Sequence, residues 1–493
     1  DVCSSDLRLN RAGGGKIKEA IDLATGTYRP AERPKPDSVA AAGRDLRALA
    51  AHPDRTGVYA RTVLAGTLAY AASLVPEIAD DIVAVDEAMR LGYNWKQGPF
   101  ELIDRLGTEW FAELCRSEGI PVPPLVERAA GRPFYRVEGG RLEHLTIDGA
   151  YAPVTRPDGV LLLSDVKRAA KPVWKNGSAS LWDIGDGVLC VEFTSKMNAL
   201  DADTMAAYGR AMALIGDGKG AWKALVIHTD SDNFSVGANL GLALFALNIA
   251  LWPQIEEMVE AGQRTYRALK YAPFPVVAAP SGMALGGGCE ILLHCDHVQA
   301  HAETYVGLVE VGVGVIPGWG GCTELLARHA ADPKLPKGPM PAIAKAFETI
   351  SLAKVARSAA EAKDLRYLRP GDGITMNRSR LLADAKARAL ELADAGYTPP
   401  PRTEYVLPGP AGRTALELFV EGVRLQGKAT PHDVVVCRKL ARVLTGGDAD
   451  ITRPVGEDEL LALERAAFMD LVHEPDTVDR IEHMLTTGKP LRN

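Results

Sequence analysis

Apolar residues recur at spacings of three and four between residues 59 and 75, which is the period of one helix face. The positions that follow this period are Tyr59, Val63, Leu64, Thr67, Leu68, Ala71, Leu74 and Val75. Ile78, Ile82, Val85 and Met89 continue the pattern in a second helix, and Gly98-Pro99 breaks it before a helical stretch over 100–106. The pattern predicts an all-helical domain over residues 41–130.

A different pattern begins near residue 181. Short β-rich apolar runs stand at 188–193 (VLCVEF), 224–228 (ALVIH) and 275–279 (PVVAA). Between the first two, Leu200, Met205, Met212 and Ile215 follow the helical period. Strands that alternate with helices predict βαβ units and therefore an α/β domain.

Proline-rich and turn-rich segments separate these patterns. Residues 30–40 (PAERPKPDSVA) are typical of a linker, so we divide 1–40 from the helical domain. Residues 131–180 carry repeated turn signals and are interpreted as a connector. A proline-rich loop at 331–341 opens a C-terminal region, 331–493, in which the pattern is again helical from 412. There Thr430-Pro431 predicts a helix start and Gly446-Gly447 a helix end.

Composition narrows the class of protein. The chain has 493 residues and a net charge of −7, which disfavours nucleic acid as the main partner because phosphate contacts need a basic face. Its seven cysteines are scattered and form no CxxC, which favours a reducing, cytoplasmic setting without a disulfide framework. No uninterrupted apolar run reaches about 18 residues, so no membrane span is predicted.

The richest chemistry lies in 275–321. A strand leads into Gly286-Gly287-Gly288, and a predicted helix follows with Glu290 in its first turn. Free N–H groups at such a helix start can stabilise an oxyanion or bind phosphate, although the glycines could equally serve only close strand–helix packing. A second glycine turn at 234–239 (FSVGAN) follows the strand at 224–228 and could offer another N–H group.

A second glutamate, Glu310, stands in the apolar run GLVEVGVGVIPG. A carboxylate is costly to bury as an anion, so this side chain lies at a surface turn, is paired, or occupies a functional pocket with a shifted pKa. Two carboxyl groups beside an oxyanion site suit general acid–base chemistry next to a carbonyl.

These motifs together resemble the enoyl-CoA hydratase (crotonase) family. ALGGGCE is followed 20 residues later by the second glutamate and, seven residues beyond that, by Pro317-Gly318. FSVGANL resembles the first oxyanion loop of the family, with Asn239 where Asp is usual, and SKMNAL (195–200) resembles its adenine loop. The resemblance covers about 181–330 and implies the crotonase fold, a spiral of ββα repeats.

The resemblance also implies roles for individual residues. The N–H groups of Ala238 and Gly287 would form the oxyanion hole, Glu290 would be the base for water, and Glu310 the proton donor to Cα. The implied substrate and CoA contacts are Lys196, Asn198, Ala199, Gly286, Pro317, Gly318 and Trp319. The expected substrate is a trans-2-enoyl-CoA, and its hydration to 3-hydroxyacyl-CoA needs no bound cofactor.

A metal site is not expected. His294, Cys295, His297 and His301 are close in sequence, but they span a predicted helix end and the following strand, so their side chains would point in different directions.

Residues 41–130 resemble the C-terminal helical domain of 3-hydroxyacyl-CoA dehydrogenases. Gly92, Gly98-Pro99-Phe100, Asp104 and Gly107 carry this match, and 464–493 resembles the end of the bacterial bifunctional β-oxidation proteins. The resemblance implies that 1–40 is a partial dehydrogenase segment and that an NAD-binding domain precedes it. No strand followed by GxGxxG occurs, since Gly13-Gly14-Gly15 lacks the spacing. We therefore expect NAD-dependent oxidation of a longer parent protein and not of these residues, of which the first seven need not be native.

Two alternatives to hydration stay open. A Δ3,Δ2-enoyl-CoA isomerase would move a proton without adding water, although the presence of both glutamates favours hydration. A non-catalytic acyl-CoA-binding module would carry the glutamates without using them. The apolar segment 240–262 could shape the acyl pocket or pack against another subunit. The resemblance further implies a homo-oligomer and a thiolase as partner.

Overall fold

The structure is a computed structural model that describes residues 7–10, 17–32 and 34–493. Several sequence predictions refer to residues outside these ranges. These are the first six residues, which include Cys3, and Gly13-Gly14-Gly15. The chain forms two compact units, Asp1–Thr155 and Arg156–Asn493, called here the N-terminal and C-terminal units.

The N-terminal unit combines two antiparallel sheets with a group of helices. Its first sheet contains β1 (Leu7–Asn10), β2 (Ile17–Ile21) and β3 (Tyr28–Pro30), and its second contains β4 (Tyr135–Glu138), β5 (Arg141–Leu145) and β6 (Tyr151–Pro153). Between them lie α1 (Asp37–Ala42), α2 (Leu46–Ala51), α3 (Arg55–Ser73), α4 (Ile82–Tyr93), α5 (Pro99–Leu106), α6 (Thr108–Ser117) and α7 (Pro124–Ala129). The predicted helical domain is therefore present, with a small sheet added to it.

The buried face of α3 differs from the prediction. The helix packs through Ala65, Leu68, Ala69 and Ala72, whereas Tyr59 is 69% exposed and Val63 44% exposed. The apolar residues of this helix form two adjacent stripes, and spacing alone does not distinguish them. The stripe of smaller side chains is the buried one because it lets neighbouring helices approach closely.

Two acids, the buried Asp86 and the half-buried Asp104, hold turns in the N-terminal unit. Asp86 accepts hydrogen bonds from the backbone N–H groups of Phe100 (2.8 Å) and Glu101 (3.2 Å), at the start of α5. Asp104 accepts from the N–H groups of Phe134 (2.6 Å) and Tyr135 (2.7 Å), where β4 begins. Each carboxylate uses both of its oxygens, so each is satisfied by backbone donors.

The predicted connector 131–180 is divided between the two units. Its first part forms β4 to β6, and its second part forms α8 (Leu163–Ala169) and β7 (Trp174–Lys175) in the C-terminal unit. The boundary lies after Thr155 and not near 180. The turn signals in this stretch belong to short strands and tight turns, which a connector would not need.

A mixed sheet is the frame of the C-terminal unit. Its strands are β7, β8 (Ala179–Asp183), β9 (Val188–Phe193), β10 (Ala224–His228), β11 (Val276–Ala279), β13 (His297–His301) and β15 (Gly373–Thr375), which lie side by side in that order. The pairs from β9 to β15 are parallel, whereas β7 and β8 are antiparallel to their neighbours. Two further strands, β12 (Met283–Leu285) and β14 (Tyr305–Gly307), pair beside the candidate site.

Both faces of this sheet are covered. Leu225 and Ile227 of β10 point into one core, whereas Ala224 and Val226 point into another, as the period of two requires. The first core is closed by α9 (Ala202–Ile215), α11 (Trp252–Lys270) and the helices that follow, and the second by α8 and α16 (Leu381–Asp394). Strands buried on both faces explain the continuous apolar runs of the sequence.

The remaining helices share the first core. They are α10 (Leu240–Asn248), α12 (Gly287–His294), α13 (Gly321–Ala330), α14 (Met340–Ser351), α15 (Ala359–Asp364), α17 (Gly409–Leu425), α18 (Pro431–Leu444), α19 (Glu457–Val472) and α20 (Pro475–Thr487). A short pair, β16 (Glu404–Tyr405) and β17 (Val455–Gly456), also lies here. The Thr430 side chain caps α18 as predicted, by accepting from the N–H of Asp433. Within the described ranges, no helix is both long and apolar enough to cross a membrane.

Candidate active site

The first part of the site is the start of α12. The turn before it adopts φ +55° at Gly286, and no side chain caps the helix, so the first N–H groups are free of side-chain acceptors. A Cβ at Gly287 would lie 2.6 Å from the Trp319 ring and one at Gly288 would lie 2.6 Å from the Ser235 carbonyl oxygen. Glycine is needed at these positions because the backbone is packed closely on both sides.

The second glycine turn lies against the first. Leu200 N donates to Gly237 O (2.9 Å) and Asn239 N donates to Leu200 O (3.1 Å), which leaves the N–H of Ala238 directed away from Leu200. A Cβ at Gly237 would lie 3.1 Å from Gly287 N. The structure thus brings together the two loops that carry the predicted oxyanion donors, Ala238 and Gly287.

Asn239 stands where the resembled family usually has Asp, and its side chain still caps the helix that follows. Its Oδ1 accepts from the N–H groups of Gly241 (3.1 Å) and Leu242 (3.2 Å) and so caps α10. Asparagine and aspartate cap helices about equally well, and the loop geometry is therefore retained.

Glu290 lies in the first turn of α12 and is 2% exposed. Its Oε1 accepts from the N–H groups of Trp319 and Gly321, each at 2.8 Å. Burial raises the pKa of Glu290 to about 7, while these two hydrogen bonds act to lower it. A carboxyl group with this pKa can accept a proton near neutral pH.

Glu310 begins a 3-10 turn over Glu310–Val313. The residue as a whole is half-buried, but both carboxyl oxygens are fully buried, and among the described residues neither has a hydrogen-bond partner of ordinary geometry. Oε1 faces Gly286, where a Cβ would lie 3.3 Å away. Burial and then the charge of Glu290 hold the pKa of Glu310 well above its usual range. A carboxyl group with a raised pKa can carry a proton, and the role of Glu310 as proton donor stays a prediction.

The loop that carries Glu310 is held from α20. Thr477 Oγ1 donates to Gly314 O (2.9 Å), and Arg480 Nη1 donates to Val311 O (3.1 Å). Both carbonyls are within four residues of Glu310, so the C-terminal helices fix the position of the second glutamate.

Trp319 and its neighbours are buried. The indole of Trp319 is 5% exposed, contacts Gly262 and packs edge-on against Tyr266 at 5.6 Å. A Cβ at Gly318 would lie 2.9 Å from the Phe468 ring, and Pro317 is buried against Gly321. The predicted substrate contacts of Pro317, Gly318 and Trp319 stay predictions, while their packing shows that they shape the wall beside Glu290.

The predicted adenine loop, residues 195–200, contains both exposed and buried residues. Lys196 is exposed and Ala199 half-buried, whereas the Asn198 side chain is buried and donates to Asn233 O (2.8 Å) and Thr229 Oγ1 (3.3 Å). Asn198 therefore holds neighbouring loops together. Lys196 and Ala199 are the parts of the loop that a ligand could reach, and the predicted contact of Asn198 with the substrate stays a prediction.

The structure adds a third buried carboxyl group that sequence reasoning did not select. Glu464 of α19 is 0% exposed and accepts from Gly320 N (2.5 Å) and Thr323 N (3.3 Å). It follows Leu460 and Leu461 at helical spacing, and Ala467 and Leu471 continue the same buried stripe. The sequence signal that could have identified Glu464 is an acidic residue within a stripe of apolar residues at helical spacing.

Metal and thiol chemistry find no support here. Within residues 7–10, 17–32 and 34–493, no group of three or more His, Cys, Asp or Glu side chains could hold a metal ion. Burial holds the pKa of the Cys289 thiol well above its usual range, which disfavours the thiolate form that a nucleophile needs.

The segment 240–262 forms α10 and the first half of α11. Leu242, Phe245 and Ile249 of this segment are each more than half exposed, while Leu247 is buried. The apolar character noted in the sequence is thus divided between the core and the surface.

The site matches a known family model. Residues 183–334 match the model described as enoyl-CoA hydratase/isomerase. This range contains both glycine turns, Glu290, Glu310 and the turn at 317–321, so the motifs found in the sequence and the geometry described above fall within it.

Relatives extend the comparison over nearly the whole chain. A "Probable 3-hydroxyacyl-CoA dehydrogenase" of Bacillus subtilis is 38% identical over 490 residues, which are 97% of this chain and 61% of the relative. A "Putative fatty acid oxidation complex trifunctional enzyme" of Rickettsia felis is 27% identical over 96% of this chain and 59% of its own length. The chain spans about 60% of the length of these curated relatives.

Among solved structures, an enoyl-CoA hydratase from Bacillus halodurans matches 62% of this chain and 99% of its own, with 17% identity and a TM-score of 0.43. The helices on both sides of the sheet domain complete the architecture expected from the sequence. Residues 183–334 thus match the enoyl-CoA hydratase/isomerase model, and the sheet domain with helical regions before and after it in sequence has the crotonase fold.

Proposed function

We propose that the C-terminal unit hydrates trans-2-enoyl-CoA thioesters to 3-hydroxyacyl-CoA in fatty-acid oxidation. The observation that carries this proposal is the pair Glu290 and Glu310. Glu290 has a pKa of about 7 and two backbone donors on one oxygen, whereas burial holds the pKa of Glu310 well above its usual range and its oxygens lie beside Gly286 without a hydrogen-bond partner of ordinary geometry among the described residues. Two acids in such different environments suit one base and one acid.

The proposed reaction uses each group once. The Glu290 carboxylate takes a proton from water as the water oxygen forms its bond to C3. Negative charge moves to the thioester oxygen, where the N–H groups of Ala238 and Gly287 would stabilise it. Glu310 donates its proton to C2, and the product is the 3-hydroxyacyl thioester. No bound cofactor takes part in this sequence.

The longer protein has a wider proposed role. The names of the relatives include 3-hydroxyacyl-CoA dehydrogenase, and we propose that oxidation of the 3-hydroxyacyl product by NAD belongs to a part of that protein outside these residues. In the described part of the N-terminal unit, the strands form antiparallel sheets and not a βαβ nucleotide-binding unit. Self-association and a thiolase partner stay predictions of the resemblance.

The test is an assay of the whole chain with crotonyl-CoA. We expect loss of the ultraviolet absorbance of the enoyl thioester together with formation of 3-hydroxybutyryl-CoA. A parallel assay with a 3-enoyl-CoA distinguishes isomerisation, which would give the 2-enoyl thioester as product. Acyl-CoA binding without either conversion would contradict the proposal and leave a binding module.

A further inference from the structure

The turn Pro317–Gly321 is the segment through which Glu290 is held, and its own backbone is weakly determined. Gly318, Gly320 and Gly321 supply three of its five residues, and Gly320 adopts φ +101°. Glycine gains many conformations when it is not held, so such a turn needs external contacts to keep one geometry.

Two buried carboxyl groups share the N–H groups of this turn. Glu290 takes those of Trp319 and Gly321, while Glu464 takes that of Gly320, which lies between them, and that of Thr323 at 3.3 Å. Glu464 also faces Thr323 Oγ1 at 3.3 Å. The two acids therefore bind the same short segment from opposite helices, α12 and α19.

A third contact reinforces the turn. Gln263 Nε2 donates to Gly318 O and to Leu461 O, each at 3.0 Å, and thus joins the turn to α19. Arg465 Nη1 faces Gln263 Oε1 at 3.3 Å and keeps this amide in place. The carbonyl side and the N–H side of the turn are both attached to the same C-terminal helix.

We propose that Glu464 is a positioning residue for the hydration reaction: through the N–H groups of Gly320 and Thr323 it fixes the Pro317–Gly321 turn, and the turn in turn fixes Glu290. This inference rests on the proposed function. Glu464 touches no reacting atom, and it lies beyond the segment matched by the family model.

The surroundings of Glu464 agree with this role. Burial and the charge of Glu290 hold the pKa of Glu464 well above its usual range, while both of its oxygens accept from backbone N–H groups. The titratable groups that interact with Glu290 include Glu310, Glu464, Cys289, Cys322 and Tyr266, and the pKa of each is raised. They also include His294, whose Nδ1 lies 2.8 Å from Glu290 O and whose pKa is lowered by burial.

The experiment compares Glu464→Leu, Glu464→Asp and Glu464→Gln in the whole chain. Leucine removes the acceptors, aspartate withdraws them by one methylene, and glutamine keeps a carbonyl oxygen for Gly320. We expect kcat to fall about tenfold to a hundredfold with leucine, less with aspartate, and to stay within about threefold with glutamine, while KM changes little in all three.

The pH profile separates positioning from simple loss of stability. The N–H groups of Trp319 and Gly321 lower the pKa of Glu290, so a loosened turn raises it. The acidic limb of kcat/KM is therefore expected to move to higher pH in Glu464→Leu and Glu464→Asp, and not in Glu464→Gln. Leu460→Ala is the matched control, because it removes buried packing from the same helix and leaves Glu464 in place.

Each outcome decides the proposal. An active parent whose Glu464→Leu or Glu464→Asp variant keeps parental kcat and its acidic limb would overturn it. So would a Leu460→Ala variant with an equal loss of kcat per folded molecule. If Glu464→Leu does not fold, Glu464→Asp alone carries the test. An inactive parent would instead contradict the proposed hydratase function.

Discussion

Asp86 and Asp104 of the N-terminal unit and Glu310 of the C-terminal unit hold carboxyl groups away from solvent in opposite ways. In the N-terminal unit, Asp86 and Asp104 each meet two backbone N–H groups, one for each oxygen. In the C-terminal unit, Glu310 has two buried oxygens without a hydrogen-bond partner of ordinary geometry among the described residues. Burial is common to both units, and the difference lies in whether the carboxyl group is satisfied by the fold.

The difference distinguishes structural acids from chemical ones. A carboxyl group that meets backbone N–H donors holds a turn, and these hydrogen bonds act against the cost of burial, although burial still raises the pKa of Asp86 to about 7 and that of Asp104 to about 6. An unsatisfied one destabilises the fold, so it is retained where a reaction uses it. Glu290 combines the two, since one oxygen holds a turn while its pKa of about 7 suits proton transfer.

The largest expected effect comes from removal of the acid–base pair. Glu290→Gln keeps an Oε1 acceptor for both N–H donors, so the fold should be retained while kcat/KM falls about 10²- to 10⁴-fold. Glu310→Gln should cause a loss of similar size. Steady-state kinetics with crotonyl-CoA measures both. Full activity in either variant would remove that residue from the proposed mechanism.

The next effect is the pH dependence of the parent. Because Glu290 must be ionised, kcat/KM should fall about tenfold per pH unit below a pH of about 7. We also expect kcat/KM to fall at alkaline pH, because Glu310 must be protonated and its pKa is raised. The acidic and alkaline inflections of the pH profile give apparent pKa values that belong to the coupled Glu290–Glu310 pair and not to either residue alone. A profile that stays flat from pH 5 to 7 would contradict the base role.

A smaller effect, on stability and not on activity, should be confined to the N-terminal unit. Asp104→Asn replaces one acceptor oxygen by a donor that faces a backbone N–H group, which should lower the free energy of unfolding of the N-terminal unit by about 1–3 kcal/mol. Hydrogen exchange in that unit measures the change, and exposed Asp80→Asn is its control. Hydration by the C-terminal unit should not change, and a loss of activity would show that Asp104 is not only structural.

The smallest expected effect is an increase in the free energy of unfolding. The folded-state pKa of Glu310 is raised above its unfolded value, so the folded state binds the extra proton and stability falls as pH rises from about 4.5 toward the folded pKa. Glu310→Gln removes this penalty and should raise the free energy of unfolding by about 1 kcal/mol at pH 8. Denaturant unfolding at pH 5 and 8 tests it. A less stable variant at pH 8 would mean that Glu310 is satisfied after all.

Much of the sheet could be read from the sequence. The strands at 188–193 and 224–228 have the predicted bounds, because strands buried on both faces are continuous apolar runs. The helix start at Thr430 followed from its capping residues. The face of α3 was predicted only in part: Leu68 is buried as expected, whereas Tyr59 and Val63 fit the period as well as the buried alanines do and are exposed.

The site was only partly predictable. The glycine turns and both glutamates lie in contiguous motifs, so the sequence brings them to notice. The Glu464 contact joins residues 464 and 320, which are remote in sequence, and a lone acid in a helix is most often solvated. The apolar stripe around Glu464 indicates that the side chain faces the interior, but only the fold identifies Gly320 and Thr323 as its donors. The unsatisfied state of Glu310 is likewise a property of its surroundings and not of its motif.

The attachment of the Pro317–Gly321 turn to α19 bears on protein engineering. The matched segment ends at 334, yet the sheet is extended by β15 at 373–375 and the turn is held from residue 464. A transplanted piece that stopped at the end of the motif would leave Gly320 N–H without its acceptor and an apolar helix face uncovered. The portion that carries the recognisable signature is smaller than the portion that must be moved, which extends at least through α19.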